Sequence, residues 1–169
     1  GFRDQLQDCL ALVYKEPMLV RIHLLRCAAV QFVQGDVMHW WHVTVDGAQK
    51  RSGVRTRCSD DMLWLPFVCA DYVKKTGDTS ILEAEIPYIE SDSLGKNENE
   101  RYVKAEISNL KENLYNHCVR AIEKSLNFGE NGLPLIGSCD WNDGFSAVGD
   151  SESGESVWLA MFQIKVLRD

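Results

Sequence analysis

The sequence predicts an all-α fold. Three observations carry that expectation: apolar residues recur at helical spacing in separate segments, good start and stop residues bracket those segments, and strand signals are sparse. Residues 5–14 have helical content. Leu24, Ala28 and Phe32 then recur at helical spacing after Pro17, a residue suited to a first helical turn, and Gly35 follows, so a helix is expected over 17–34. A further helix opens at Ser59, a good N-cap, with Asp60 and Asp61 placed where negative charge favours the helix dipole, and closes at Gly77. A short piece from Thr79 to Glu85 stops ahead of Pro87. Leu110, Leu114, Cys118, Ile122 and Leu126 repeat every four residues before Gly129, which is the clearest helical pattern in the chain. Residues 155–168 read as a terminal helix.

Only Val43, Thr44 and Val45 suggest a short extended stretch, ahead of a turn at Asp46 and Gly47. Long polar or glycine-bearing connections lie at 35–58, 89–100 and 129–153, and loops of such length in a compact domain usually carry function. The middle one, Ser91 to Glu100, has no aromatic residue and reads as a solvated excursion.

With 169 residues, 45% hydrophobic and 25% charged, the chain is too apolar for a disordered segment and fits a single domain, or part of one. Eighteen Lys and Arg against 25 Asp and Glu give a net charge of -7, which argues against nucleic acid as a partner. The opening Gly1-Phe2-Arg3-Asp4 carries no basic-then-apolar leader and reads as an internal cut, and no window approaches the ~20 apolar residues of a membrane span. Six cysteines, none in a CxxC pair and most among apolar neighbours, suggest buried free thiols in a reducing compartment.

Chemistry concentrates in three places. Asp140, Trp141, Asn142 and Asp143 put two carboxylates and an indole together before Gly144; aromatic faces stack on sugar rings, and a carboxyl beside an apolar wall can keep a proton for general-acid work. The same residues also suit an ordinary turn. In the first long loop, His39 and His42 lie three apart around Trp40 and Trp41, but without an HExxH spacing or a Cys pair, so no metal is expected and a packed or sugar-stacking surface is the better reading. Arg55 and Arg57 could hold a phosphate or a carboxylate, or pair structurally with Asp60 or Asp61. Near the start, Arg3, Asp4, Gln5, Gln7 and Asp8 could face a ligand or form a solvated first turn. No Ser/His/Asp order, phosphate loop or Cys/His nucleophile pattern stands out.

Five segments occur in an order that resembles glycoside hydrolase family 94: Gly1–Leu12 (GFRDQLQDCLAL), Gln31–Trp41 (QFVQGDVMHWW), Gly53–Pro66 (GVRTRCSDDMLWLP), Gly132–Gly144 (GLPLIGSCDWNDG) and Gly154–Leu159 (GESVWL). That family contains inverting disaccharide and oligosaccharide phosphorylases and the phosphorylase-like domain of cyclic β-1,2-glucan synthases. The wording here is closer to the β-1,2-glucan branch. The resemblance implies a six-hairpin (α/α)6 toroid, of which residues 1–169 would supply the early part. It implies that Asp143 is the general acid, that Trp141 lines the sugar site, and that Asp4 hydrogen-bonds hydroxyls of the transferred sugar. Arg3, Arg55 and Arg57 match motif positions without a definite role, and with Trp40 and Trp41 they are candidate substrate or phosphate contacts.

Cys139 and Phe145 depart from the family's pattern, standing where a Gly and a Met are usual. The family also binds phosphate through an Arg before this region and His and Thr residues after it, so the full phosphate site would need the remainder of the catalytic domain. The implied chemistry uses one carboxyl: phosphate is the nucleophile and co-substrate, and the acid protonates the leaving glycosidic oxygen, inverting a β-glucoside to α-glucose 1-phosphate. No cofactor is implied. The expected partners are a β-glucan oligosaccharide or disaccharide and phosphate, with a homodimer of the parent left open, in the cytoplasm or in a cytoplasmic domain of a membrane-bound glucan synthase. The competing reading is a domain within such a synthase that binds oligosaccharide without turning it over.

Overall fold

Phe2, Leu6 and Cys9 fall on one stripe of the first helix, α1 (Phe2–Leu12), and each is buried. This is a computed structural model, and it describes residues 1–42, 50–149 and 153–169. Helix α2 (Pro17–Ala28) starts on the proline and buries Val20, Leu24 and Cys27. It ends at Ala28 rather than near 34, because Gln31 turns to bridge Val37 and Phe32 to bridge Ile89. Helix α3 (Trp64–Thr76) follows one 3-10 turn, Asp61–Leu63, and stops where Gly77 takes the left-handed φ of +72° and donates its N–H to the Val73 carbonyl. Ser59 does not cap it; its hydroxyl donates to the Cys139 carbonyl instead.

Among the described residues there are four strands: β1 (Met38–Trp41), β2 (Lys50–Thr56), β3 (Glu85–Glu90) and β4 (Glu100–Asn113). They form one antiparallel sheet in the order β1-β2-β4-β3, with Trp41 opposite Gly53 and Val54 opposite Tyr102. The expectation of an all-α fold belonging to an (α/α)6 toroid is therefore overturned: the described residues form a mixed α/β unit. Two of the four strands, β1 and β2, lie wholly within the segment 35–58 read as a loop, and β3 and β4 overlap the two ends of the segment 89–100. The period-2 signal in β4 is Val103 and Ala105 buried between exposed Lys104 and Glu106, too few apolar positions to register against Lys, Glu, Asn and Ser, which strands usually avoid. Pro87 is tolerated because β3 is an edge strand and its pairing with β4 is irregular between Pro87 and Ile89. Val43–Val45 and the turn at Asp46 and Gly47 lie outside the described residues.

The four-residue repeat also overreaches. Helix α4 spans Leu114–Ser125, so Leu110 belongs to β4 and Leu126 to the C-cap, both substantially exposed. Asn113 caps α4 by accepting from the Asn116 N–H. After a short 3-10 turn at Asp143–Phe145 and a single turn of helix α5 (Ser146–Gly149), helix α6 (Val157–Arg168) is capped by Ser156. Helices α1 to α4 pack together around Leu6, Leu24, Leu65 and Leu114, and α6 adds Leu159 and Phe162 against α3. Among the described residues no helix is long and apolar enough to cross a membrane.

Candidate active site

Arg3 is a charged residue on the inward stripe of α1, and burying a guanidinium is costly unless it is paired and hydrogen-bonded. Its partners come from two distant segments. Nη1 donates to Asp60 Oδ1 at 2.8 Å and to the Asp140 carbonyl at 3.1 Å, and Nη2 donates to the Asp143 carboxylate. Asp60 is fully buried, also accepts from Trp64 Nε1 at 3.0 Å, and is pushed up to about 6 by burial and by Asp61 beside it, against the lowering effect of Arg3. Asp61 accepts from His39 Nδ1 at 2.6 Å, and that hydrogen bond raises the histidine above its usual range. A guanidinium held from behind by an aspartate pair thus presents its outer edge to Asp143.

The loop carrying Asp143 is fixed from within. Buried Asp140 accepts from the Asn142 N–H at 2.9 Å and from Ser156 Oγ at 2.6 Å, and Asn142 Oδ1 accepts from the Gly144 N–H. Two backbone bonds, Ser59 N–H to the Cys139 carbonyl and Ser138 N–H to the Arg57 carbonyl, pin the entry of the loop to residues 57–59. Gly137 permits that approach: it sits at φ +65°, and a Cβ there would meet the Arg57 carbonyl oxygen at 2.0 Å. Asp143 itself is left exposed at the start of its 3-10 turn. Asp140, Trp141 and Asn142 are therefore turn residues, as the turn reading expects, and the same turn leaves the Asp143 carboxylate exposed.

Trp141 is half exposed and donates its indole N–H to Gln7 Oε1 at 3.2 Å, so it stands over α1. Asp4, next to Arg3, keeps its side chain in solvent. The other candidates lie elsewhere. Arg55 is buried, grips Asp36 through Nε and Nη2 at 2.6 and 2.8 Å, bonds Gln34 and the Ser91 carbonyl, and covers the Phe32 ring at 3.9 Å. Arg57 donates to the carbonyls of Glu98 and Gly95. Both fasten the 91–99 loop, and the Asp60–Asp61 pair offered to them by sequence serves Arg3. Trp40 sits with His42 and Tyr102 on β1 and β4, and Trp41 packs edge-on against Phe2. His42 therefore faces Trp40 while His39 faces Asp61. A cavity of about 400 Å³ lined by Arg55, Arg57, Cys58, Asn99 and Gly137 does not reach Trp141 or Asp143.

Sequence reasoning missed Asp60, Asp61 and Cys58 as neighbours of the loop that carries Asp143. The available signal was two adjacent acids directly ahead of the apolar run Met62–Phe67, a place where carboxylates are forced inward. Among the described residues two groups of donors cluster closely, His39 with Cys58 and Asp61, and Cys58 with Cys139 and Asp143. All six cysteines are free, five of them buried and Cys139 half-buried.

Residues 1–169, the whole of this chain, match the model of the glycosyl hydrolase 94 superfamily catalytic domain. The chain belongs to that family. Among its family 94 relatives, the cyclic β-(1,2)-glucan synthase NdvB of Rhizobium meliloti is 43% identical over 99% of this chain, the solabiose phosphorylase of Paenibacillus borealis 26% over 95%, and the N,N'-diacetylchitobiose phosphorylase of Vibrio furnissii 24% over 99%. The chain spans only 6% of the length of the first of these family 94 proteins, and 18% and 21% of the other two.

Proposed function

We propose that this chain carries the general-acid part of a family 94 catalytic site that phosphorolyses a β-glucoside or β-glucan oligosaccharide and runs the reverse synthesis. The observation that supports this most is the meeting of Arg3 with Asp143, which brings the GFRD helix and the DWND turn to one place although they lie far apart in sequence. The phosphorylase relatives support the reaction type.

In this reading Asp143 delivers a proton to the leaving glycosidic oxygen while phosphate attacks the anomeric carbon from the opposite face, giving α-glucose 1-phosphate. Phosphate is already a competent nucleophile, so neither a second carboxylate as base nor a metal is required. Arg3 orients the Asp143 carboxyl through Oδ1, Trp141 offers an apolar wall for the sugar, and Asp4 accepts from sugar hydroxyls. Arg55 and Arg57 have a structural role and leave the phosphate contacts to other parts of the domain. In the full-length parent, Asp143→Asn is expected to cut phosphate-dependent release of glucose 1-phosphate by about 10²-fold or more, as a lost general acid does. A loss under about tenfold would assign the acid elsewhere.

A second reading is favoured by one observation, the higher identity to a glucan synthase than to the phosphorylases. The parent would then use this region to bind or process β-1,2-glucan inside a larger synthase. Binding of β-1,2-glucan oligosaccharides with no glucose 1-phosphate formed would select it.

A further inference from the structure

We propose that Cys58 and Cys139 form a reversible thiol pair that takes a low-molecular-weight disulfide as oxidant and, once closed, displaces Asp143. The functional half of this rests on the role given to Asp143 above. The thiol chemistry does not.

The two Sγ atoms lie 2.9 Å apart, inside ordinary contact of nonbonded sulfurs. Their backbones are already tied: Cys58 bridges both Gly137 and Cys139, and Ser59 bonds the Cys139 carbonyl through its N–H and its hydroxyl. Bridge partners of this kind have Cα atoms about 5 Å apart, within the span of a disulfide. Closure therefore needs small side-chain rotations and little movement of the chain.

The pair is asymmetric, and the more exposed member is the one suited to the first attack. Cys139 is half-buried and reachable, and its hydrogen-bonding contact with Cys58 holds it below the ordinary thiol range; Cys58 is buried and held far above that range. The Cys139 thiolate attacks one sulfur of the oxidant RSSR, forming a mixed disulfide and releasing one thiolate, which takes up a proton. Cys58 then gives up its proton and attacks Sγ of Cys139, releasing the second RSH. In sum two protein thiols become one disulfide, two electrons pass to RSSR, and two RSH leave.

Closure removes what the two sulfurs now do. Cys58 Sγ donates to Asp60 Oδ1 at 3.3 Å and accepts from Arg3 Nη1 at 3.4 Å, while Cys139 Sγ lies 3.8 Å from Asp143 Oδ1. Closure takes the Cys58 thiol proton from Asp60 and turns the Cys139 sulfur away from Asp143, so the carboxylate loses that neighbour and shifts by side-chain rotation, and misplacing a catalytic group by about 1 Å can cost about 10²-fold. A metal ion is the less suitable occupant, because the fixed positive charge of Arg3 already lies against Cys58, Asp60 and Asp143.

The test uses the full-length parent in oxidised and reduced glutathione at a series of ratios. Aliquots are alkylated, digested and searched for a Cys58–Cys139 linked peptide, with glucose 1-phosphate formation measured in parallel. The expected result is a linked peptide whose yield rises as activity falls at least about tenfold, both reversed by dithiothreitol, with Cys139→Ser insensitive to the oxidant. Full alkylation of both cysteines at every ratio would overturn the proposal, as would stoichiometric zinc protecting the pair. A linked peptide with undiminished activity would overturn the switch. If the parent makes no glucose 1-phosphate under any condition, the phosphorylase reading fails, and the linked peptide with displacement of bound oligosaccharide decides the thiol pair separately.

Discussion

Asp140 Oδ2 accepts a 2.6 Å hydrogen bond from the hydroxyl of Ser156, and the same hydroxyl accepts from the Leu159 N–H to cap α6. One small side chain thus joins the turn that bears Asp143 to the start of the last helix. Removing it orphans a buried carboxylate oxygen and a helix N-terminus together. Ser156→Ala is expected to cost about 2 kcal/mol, from a lost cap and an unsatisfied buried acceptor, and to lower kcat more than it raises KM. Chemical denaturation and steady-state phosphorolysis of the parent check both parts.

Arg3 tolerates no truncation. Arg3→Met leaves Asp60 buried without its cation, and breaking such a pair typically costs about 3–5 kcal/mol. Arg3→Lys keeps the charge but cannot reach Asp60, the Asp140 carbonyl and Asp143 from one planar group. Both variants should lose activity, with Arg3→Lys the more stable. A fully active Arg3→Lys enzyme would show that positioning by the guanidinium fork is not needed.

His39 sets a pH dependence whose sign follows from its raised pKa. The folded state binds the proton more tightly than the unfolded state, so the stabilisation is complete below an unfolded value of about 6.5 and is lost as pH rises through the folded value. Because the ring is partly exposed, the contribution is about 1 kcal/mol or less. The difference in Tm between the parent and His39→Asn should be largest near pH 6 and shrink toward pH 9. A difference that grows with pH would remove the ion pair from the account.

The two tryptophan sites should behave differently. Trp141 stands half exposed over α1 in the turn that bears Asp143, whereas Trp40 lies on the sheet with Tyr102. Trp141→Ala is expected to raise KM for the oligosaccharide about tenfold, equivalent to about 1.4 kcal/mol of lost contact, and Trp40→Ala to change it little. Equal effects from both would move the sugar site onto the sheet.

Residues 1–169 expressed alone should self-associate. Helix α6 leaves Val157, Met161, Ile164 and Leu167 exposed, and α2 leaves Met18, Leu19 and Ile22 exposed. Apolar area left in water forfeits about 25 cal/mol per Å². A sharp unfolding transition in a monomer by light scattering and calorimetry would contradict this.

What was legible in the sequence depended on range. Local punctuation worked: Pro17 opens α2 because its ring fixes φ, and Gly77 closes α3 because glycine takes the left-handed conformation without steric cost. The sheet was not legible, since β4 announces itself through Val103 and Ala105 alone and is held by partners on β2 and β3 distant in sequence. Leu110 shows the cost of periodicity at a boundary: it keeps the spacing of α4 while lying in a strand. At the site, the resemblance singled out Asp143 and Trp141, but the service of Asp60 to Arg3, and of Asp36 to Arg55, depended on which acid the tertiary fold brings near which cation.

The partners of Arg3 lie 57 and 140 residues further along the chain. During vectorial synthesis the guanidinium of α1 must remain hydrated until the aspartate pair emerges, and its outer edge stays unclaimed until the turn around Asp143 follows. Helix α1 therefore cannot seat its inward face early, and the corner where Arg3 meets Asp60 and Asp143 is expected to form among the last events of folding, with contacts of high sequence separation closing slowly. Substitutions there should register mainly in the unfolding rate and leave the folding rate nearly unchanged.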